Sequence, residues 1–249
     1  MKAMVLAAGL GTRLRPLTDD RPKALVEIEG RTLLEITLAR LRACGVGEVM
    51  VNVHHFADMV ADYVVAKQNF GMRIEISRED VLLDTGGGLK KAAWFFSEDA
   101  RERDEPFLLH NVDVLSTIDL ASMVRFHSEQ RELATLAVQQ RHSSRYLLFD
   151  RQGQLCGRRS EREQHTELAR PVELPQALAF CGIHVIAPRL LRMMTEEGVF
   201  SIMETYLRLA AREERIVAFR ADEFYWRDLG TIDGLEQAGA DFRHGLVPD

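Results

Sequence analysis

Three absences in the sequence narrow the class of protein. No apolar run reaches the ~20 residues that a membrane helix needs. The apolar run at residues 3–8 is also too short for a signal peptide, so we expect a cytoplasmic protein with no membrane partner. The three cysteines, Cys44, Cys156 and Cys181, are odd in number and lack C-x-x-C spacing. This pattern argues against both a disulfide framework and a zinc site.

Lysine is scarce and the net charge is acidic. Only five of the 32 basic residues are lysine, so a lysine inside a motif is an unusual choice. The 38 acidic residues bring the formal net charge to −6, which argues against a nucleic-acid partner held by phosphate attraction. With 46% hydrophobic and 28% charged residues, the composition is that of an ordinary globular protein. We expect a single domain over residues 1–249.

Apolar runs of strand length alternate with segments of helical period in the first half of the chain. Strands are predicted at residues 3–8, 49–53, 72–76 and 107–110, and the last helix between them is predicted from about 87 to 96. Beyond residue 133 the predicted strands are shorter, and residues 158–170 are interpreted as an exposed loop of mixed charge. The pattern predicts an α/β fold with a Rossmann-like, mixed but mainly parallel sheet flanked by helices.

A glycine-rich loop follows the first strand and reads Ala8-Gly9-Leu10-Gly11-Thr12-Arg13. Glycines at the carboxyl end of a strand let the backbone approach a ligand closely, and their N–H groups can bind phosphate. Arg13, Arg15 and Lys23 supply cations nearby. The loop lacks the third glycine of the dinucleotide fingerprint and the Gly-Lys-Ser/Thr of a P-loop, which argues against NAD and Walker-type ATP binding.

The loop resembles the signature of the sugar-1-phosphate nucleotidyltransferases, G-x-G-T-R-x-x-P followed by P-K, here completed by Pro16 and by Pro22-Lys23. The resemblance implies an enzyme that joins a nucleoside triphosphate to a sugar 1-phosphate and releases pyrophosphate. It implies a nucleotide-binding half at about 1–130 and a sugar-phosphate-binding half at about 131–249. Within the loop, it assigns Ala8, Gly9, Gly11 and Thr12 to the nucleotide. Arg13 would hold the β- and γ-phosphates, and Lys23 would bridge the α-phosphate and the sugar phosphate.

A second glycine cluster, Asp84-Thr85-Gly86-Gly87-Gly88, lies between a predicted strand and a helix. Glycine costs ~1 kcal/mol in a helix interior, so some other requirement must keep three of them there. In the family, the equivalent segment lies against the base and ribose. The resemblance therefore assigns Asp84, Gly86, Gly87 and Gly88 to the nucleotide, together with Asn111. The T-G-G-G form is similar to that of short members such as the N-acetylmuramate 1-phosphate uridylyltransferases.

Two distant aspartates are candidate magnesium ligands. Asp113 follows a predicted buried strand, and Asp228 lies in Trp-Arg-Asp-Leu-Gly-Thr, where Thr231 can cap the last helix. Magnesium is usually held by one or two protein carboxylates together with phosphate oxygens and water. Family members carry one aspartate in G-D and another in W-x-D-x-G-T; here Val112 replaces the first glycine. The resemblance implies that Asp113 and Asp228 bind Mg²⁺, with Asp113 acting beside Arg13 and Lys23 in catalysis.

The acceptor side carries fewer motifs. Gly182 resembles the glycine whose backbone meets the sugar in the family, and Glu173 is assigned to sugar hydroxyls. The family's E-K-P lysine, which holds the sugar phosphate, is not found; three arginines stay open as replacements, namely Arg158, Arg159 and Arg170.

The resemblance to short family members favours UTP with an amino-sugar or muramic-type 1-phosphate, as in cell-envelope precursor synthesis, and keeps GTP with mannose or heptose 1-phosphate as an alternative. A metal-dependent glycosyltransferase is less consistent with the sequence, because Asn111-Val112-Asp113 offers one carboxylate where D-x-D offers two. A non-catalytic nucleotide-sugar sensor is the third alternative. The oligomeric state is expected to be a monomer or a small homo-oligomer.

Overall fold

The computed structural model describes residues 1–97 and 105–247, in which strands and helices alternate along the chain. The fourteen strands of this described part are β1 Lys2–Leu6, β2 Glu27–Ile28, β3 Arg31–Thr32, β4 Glu48–Val53, β5 Arg73–Arg78, β6 Phe107–Asn111, β7 Val114–Ser116, β8 Ala134–Gln139, β9 Arg145–Phe149, β10 Leu155–Ser160, β11 His165–Leu168, β12 Gln176–Ile186, β13 Ile216–Arg220 and β14 Trp226–Asp228. The eight α-helices described are α1 Leu33–Ala43, α2 Ala57–Ala66, α3 Asp84–Lys91, α4 Ala93–Ser97, α5 Leu120–Gln130, α6 Arg189–Met193, α7 Ile202–Ala210 and α8 Ile232–Arg243.

Ten of these strands form one sheet that runs through both halves of the chain. Its main path is β11-β10-β9-β12-β6-β1-β4-β5, with β8 beside β12 and β13 beside β8. The four strands from β6 to β5 are parallel, whereas β12 joins β6, β8 and β9 in antiparallel pairs. This confirms the predicted mixed, mainly parallel sheet, whose parallel strands lie at its centre. The carboxyl ends of β1, β4 and β6 therefore open on one edge, the usual position of a ligand site in such folds.

Both faces of the central strands of the sheet are buried. Along β1, Ala3 and Val5 belong to one apolar cluster with residues of α1, α2 and α8, while Met4 belongs to a second cluster with residues of α3, α4 and α7. Helices that cover both faces leave no solvated side, which is why the central strands are continuously apolar and do not alternate. Each fully buried Val, Leu or Met contributes ~1.5–3 kcal/mol relative to an exposed one.

Two local predictions are wrong. The helix expected from about 87 to 96 begins earlier, at Asp84, and breaks at Ala92 into α3 and α4, so the glycine triplet lies inside a helix. Residues 158–170, expected as a loop, instead complete β10 and form β11, an antiparallel hairpin at the edge of the sheet. Edge strands tolerate charge on exposed faces, and this charge obscured the strand pattern.

No helix in the described ranges combines the length and the apolar character that crossing a membrane requires.

Candidate active site

The glycine loop after β1 uses its two glycines differently. Gly11 has a φ of +66°, and a Cβ built there would lie 2.9 Å from the Thr18 methyl group and 3.2 Å from Cβ of Lys23. Glycine at position 11 is therefore required by the loop itself. A Cβ on Gly9 would meet nothing within 4 Å, and Gly9 lines a cavity of about 450 Å³. The protein's own packing does not explain Gly9, whereas close approach of a ligand would.

Lys23 and Asp113 meet in this cavity. The Lys23 ammonium donates a hydrogen bond to the Asp113 carboxylate, and their side chains are only 11% and 20% exposed. Lys23 begins a short 3₁₀ turn after Pro22, and Asp113 lies in the turn between β6 and β7. The structure thus brings together two predicted catalytic residues that are 90 positions apart.

Asp228 is held next to Asp113 by backbone pairing. Strands β7 and β14 are antiparallel with Val114 opposite Asp228, and the Leu229 N–H donates to the Asp113 carbonyl oxygen at 2.8 Å. One Asp228 carboxylate oxygen accepts the Gly230 N–H at 2.8 Å, and the other lies 3.8 Å from an Arg13 nitrogen. The β7–β14 ribbon therefore joins two aspartates that come from distant parts of the chain.

Gly230 explains part of the Trp-Arg-Asp-Leu-Gly-Thr motif. A Cβ at this position would lie 2.5 Å from a terminal nitrogen of Arg13 and 2.8 Å from an Asp228 carboxylate oxygen, so a larger residue would displace the guanidinium from its place beside Asp228. Thr231 accepts the Gly234 N–H at 3.1 Å and caps α8, as the sequence predicted. Trp226 donates from its indole to the Cys181 carbonyl oxygen at 2.8 Å. The motif thus holds the Asp228 carboxylate by a backbone hydrogen bond, leaves space for Arg13 beside it and begins α8.

Asp113 and Asp228 are the predicted ligands of a divalent cation, and the β7–β14 pairing brings their backbones together. No group of three or more His, Cys, Asp or Glu side chains has ligand spacing within residues 1–97 and 105–247. Two protein carboxylates that leave further positions to phosphate oxygens and water are a donor set that suits Mg²⁺. Each carboxylate now faces a cationic side chain, Lys23 or Arg13. The residues present therefore fit Mg²⁺ bound together with a phosphate ligand.

The three glycines of α3 pack closely against other segments of the chain. A Cβ on Gly86 would lie 2.4 Å from the Phe200 ring, and one on Gly87 would lie 2.4 Å from the Gly198 carbonyl oxygen. A Cβ on Gly88 would lie 2.8 Å from side-chain atoms of both Asn52 and Glu79. Packing alone is thus a sufficient reason for the three glycines. The assignment of their backbones to the nucleotide stays a prediction.

The start of α3 does line the cavity. Asp84 and Thr85 line its wall together with Ala8, Gly9 and Asn111, all three assigned to the nucleotide from the sequence. Asp84 has a φ of +59° and accepts the Thr85 N–H on its own carboxylate at 2.6 Å. The Thr85 hydroxyl accepts the Ile202 N–H at 3.0 Å, which ties this wall to α7. Thr85 was not assigned a role from the sequence.

Asn52 and Glu79 form a buried polar link beneath the cavity that sequence reasoning missed. Asn52 accepts the Ala7 N–H at 2.8 Å and donates to Glu79 at 2.7 Å, and Glu79 in turn accepts the Leu83 N–H at 3.0 Å. These bonds join the ends of β1, β4 and β5 to the start of α3. An asparagine between valines in a buried strand was a detectable signal for Asn52. The local sequence of Glu79 carries no such signal.

A second cavity of about 510 Å³ adjoins the first and shares Asp84, Thr85 and Asn111 with it. Gly182, with a φ of +75° at a bulge in β12, packs against Asn111 and Val114 behind this shared wall. Glu173 is exposed in the bend before β12 and lies outside both linings. The acceptor roles of Gly182 and Glu173 stay predictions.

The three arginines considered as replacements for the E-K-P lysine lie in different places in the structure. Arg158 and Arg159 line the second cavity. Arg170 pairs instead with Asp150 at the far end of β9, outside that lining. A further arginine, Arg145 at the start of β9, also lines the second cavity.

A glycine loop, two cations and two aspartates at the carboxyl edge of a parallel sheet are typical of α/β proteins that handle phosphates. Residues 2–244 match the family described as Nucleotidyl transferase, and the chain belongs to that family. The resemblance stated from the loop motif is thereby confirmed.

The relatives include both uridylyl and guanylyl enzymes. The chain is 50% identical over 114 residues to N-acetylmuramate alpha-1-phosphate uridylyltransferase of Caulobacter vibrioides, which is 45% of each protein. It is 30% identical over 233 residues to a mannose-1-phosphate guanyltransferase of Yarrowia lipolytica, covering 92% of this chain and 61% of that one. The matched regions thus span less than two thirds of each relative. In fold, the chain is similar to UDP-glucose pyrophosphorylase complexed with UDP-glucose, with a TM-score of 0.75, 17% identity and 98% of each chain covered.

Proposed function

We propose that this protein transfers a nucleotidyl group from a nucleoside triphosphate to a sugar 1-phosphate and releases pyrophosphate. The observation that carries the proposal is the Lys23–Asp113 pair in the cavity beside Gly9, with Asp228 on the neighbouring β7–β14 ribbon and Arg13 of the glycine loop facing Asp228. The cluster combines two cations for phosphate oxygens with two carboxylates for a metal ion. Family membership supports the same reaction class.

In the proposed reaction, an oxygen of the acceptor phosphate attacks the α-phosphorus of the triphosphate in line. The new bond joins that oxygen to the α-phosphorus, and the bond to the bridging oxygen of the leaving pyrophosphate breaks. Lys23 exchanges its contact with Asp113 for phosphate oxygens and holds both reactants, while Arg13 holds the β- and γ-phosphates. Such positioning and charge neutralisation supply most of the catalysis of phosphoryl transfer, so no enzyme nucleophile is needed.

Magnesium fits this proposal through the protein's own residues. Asp113 and Asp228 would hold the ion, which when bound neutralises charge on the phosphate oxygens. The backbone bond from Leu229 to Asp113 and the β7–β14 pairing join the backbones of the two aspartates.

We propose UTP and an amino-sugar or muramic-type 1-phosphate as the substrates. The 50% identity to an N-acetylmuramate alpha-1-phosphate uridylyltransferase supports this choice. GTP with mannose 1-phosphate is the second candidate, because the mannose-1-phosphate guanyltransferase matches over 92% of this chain.

The test is a matrix of UTP, GTP, ATP, CTP and dTTP against a panel of sugar 1-phosphates with Mg²⁺, read as pyrophosphate release. We expect turnover that is highest with UTP and an amino-sugar acceptor. Turnover highest with GTP and mannose 1-phosphate would favour the second candidate. Absence of pyrophosphate release in every well, from folded protein, contradicts the whole proposal and favours a binding protein. Sugar transfer from a nucleotide sugar, without pyrophosphate release, would indicate a glycosyltransferase.

Two variants test whether the cluster of Lys23, Asp113, Asp228 and Arg13 carries out the reaction. Lys23→Met and Asp113→Asn should each lower kcat/KM by about 100-fold or more, because each removes a charge that faces the transferred group. Lys67→Met and Asp58→Asn are the matched controls, since both side chains form exposed ion pairs away from the cavity. Near-normal activity in both site variants would contradict the assignment.

A further inference from the structure

Arg141 lies just beyond strand β8 and reaches across to the β7–β14 ribbon. The central carbon of its guanidinium lies 3.5 Å from the centroid of the Trp226 ring, a close cation–π contact. One terminal nitrogen donates to the Phe180 carbonyl oxygen at 2.8 Å. A ring on β14 and a backbone carbonyl on β12 therefore hold this guanidinium in place in the free protein.

The stacking on Trp226 places the guanidinium on the side of Asp228. Trp226 and Asp228 are two positions apart on β14, and alternate side chains of a strand point to the same face. Burial lowers the pKa of Arg141, while the Cys181 thiol and the Asp228 carboxylate act in the opposite direction. Arg141 is thus a second guanidinium near Asp228, in addition to Arg13.

The protein leaves most of the donors of Arg141 unused. A guanidinium has five N–H donors, and the bond to Phe180 uses one of them within residues 1–97 and 105–247. The Nε atom is buried and makes no hydrogen bond to that part of the chain. No carboxylate among these residues forms an ion pair with Arg141. A half-buried cation without an acidic partner is costly, so contacts within the protein do not account for it.

The arginines considered as replacements for the E-K-P lysine differ from Arg141 in this respect, because each of them already pairs with a carboxylate. The pairs are Arg158 with Glu167, Arg159 with Glu161 and Arg170 with Asp150. An anionic ligand at any of these three must compete with that carboxylate. At Arg141 it meets no such competitor in the described ranges.

The proposed reaction requires a further cation near Asp228. It brings the acceptor phosphate against the α-phosphate, which is also an anion, beside the carboxylates of Asp113 and Asp228. Lys23 is shared between the two phosphates, and Arg13 is assigned to the β- and γ-phosphates. Charge on the reacting phosphates is stabilised best by cationic donors that are already in position before the reaction, as Arg141 is.

We propose that Arg141 binds the phosphate group of the acceptor, which then lies between Lys23 and Arg141. The proposal rests on the proposed function and adds a substrate-binding residue to it. Paired N–H groups of a guanidinium match two phosphate oxygens in geometry and in charge. Stacking on Trp226 fixes the guanidinium plane, so less conformational entropy is lost when the phosphate binds.

The test measures KM separately for the two substrates, with the triphosphate and the sugar 1-phosphate that give the highest turnover in the matrix. Arg141→Met should raise KM for the sugar 1-phosphate by about tenfold to 100-fold, because it removes a charge-assisted hydrogen bond. KM for the triphosphate should stay unchanged. Arg141→Lys should restore part of the acceptor affinity, since it keeps the charge but not the paired donors.

Arg227→Met is the matched control. Arg227 is the neighbour of Trp226 on β14, but its side chain points to the opposite face and pairs with Asp241 of α8 at 2.6 Å. Removing it should lower the free energy of unfolding and leave both KM values unchanged. If Arg141 only packed against Trp226, Arg141→Met should behave as this control does, or should raise both KM values together.

A binding measurement separates this proposal from the proposed function. Calorimetry without nucleotide uses N-acetylglucosamine 1-phosphate and mannose 1-phosphate as probes, and Arg141→Met should weaken the binding of the sugar 1-phosphate that is accepted by about tenfold or more. Turnover with an unchanged acceptor KM in Arg141→Met, or with both KM values raised equally, overturns the role of Arg141 and leaves the transferase intact. Absence of turnover, together with sugar 1-phosphate binding that depends on Arg141, contradicts the transferase and supports the phosphate site.

Discussion

Replacing Gly87 with alanine separates two explanations for the glycine triplet of α3. If the glycines serve only a bound nucleotide, alanine should stabilise the free protein, because alanine is favoured over glycine in a helix by ~1 kcal/mol. If packing requires them, the same change should destabilise it. The two explanations therefore predict opposite signs for one measurement.

The magnitude follows from the contact. An alanine Cβ at position 87 would lie 2.4 Å from the Gly198 carbonyl oxygen, which is a backbone atom and cannot rotate away. Overpacking of this kind typically costs ~1–3 kcal/mol and should be near the upper end here. After subtracting the ~1 kcal/mol of helix preference, the free energy of unfolding should fall by about 1–2 kcal/mol.

The assay is urea unfolding of the nucleotide-free protein, followed by circular dichroism. Gly47→Ala is the control, because a Cβ there meets nothing within 4 Å and its φ is not left-handed; it should leave the free energy of unfolding within about 0.5 kcal/mol of the wild type. Unchanged or increased stability of Gly87→Ala, in a protein that unfolds in two states, would refute the packing argument.

Three further predictions follow from single contacts. Gly9→Ala should leave the free energy of unfolding within about 0.5 kcal/mol of the wild type, because a Cβ there meets no protein atom within 4 Å. The same Cβ should raise KM for the triphosphate, because it occupies space assigned to the nucleotide. An unchanged KM would contradict nucleotide contact at Gly9. Burial lowers the pKa of Arg40 to about 10, and Arg40 donates a hydrogen bond to Ser116 of the β7–β14 ribbon at 2.6 Å. Arg40→Met should therefore lower the free energy of unfolding by about 2 kcal/mol and raise the Mg²⁺ concentration needed for activity. An unchanged Mg²⁺ titration would show that Arg40 does not affect the site. Burial lowers the pKa of His110 and of His184 to about 3 in the folded protein, whereas an imidazole in the unfolded chain has the usual pKa of 6.5. Below pH 6.5 the unfolded chain therefore binds more protons than the folded protein. The free energy of unfolding should therefore fall as the pH drops from about 6.5 towards 3, by up to about 1.4 kcal/mol per pH unit for each imidazole, and His184→Gln should show a smaller slope in urea titrations.

The position of the glycine loop at the edge of the sheet could be predicted because its determinants are local in sequence. The loop from Gly9 to Arg13 is continuous, and it follows a strand whose buried character is evident from composition alone. Asp113 and Asp228 were identifiable from their motifs, but the pairing of β7 with β14 that joins them was not. That pairing links segments 114 positions apart, and short strands of three residues carry no periodicity that sequence reasoning can detect.

The hairpin of β10 and β11 could not be predicted in the same way, and the reason is electrostatic as well as topological. In residues 158–170 charged side chains occupy both faces of the hairpin, so the alternation that marks a strand is absent. The same charges build the second cavity, because Arg158 and Arg159 are adjacent on β10 and Arg145 lies opposite Ser160 on β9. An edge hairpin with charges on both faces therefore lacks the hydrophobic pattern that would have predicted its structure.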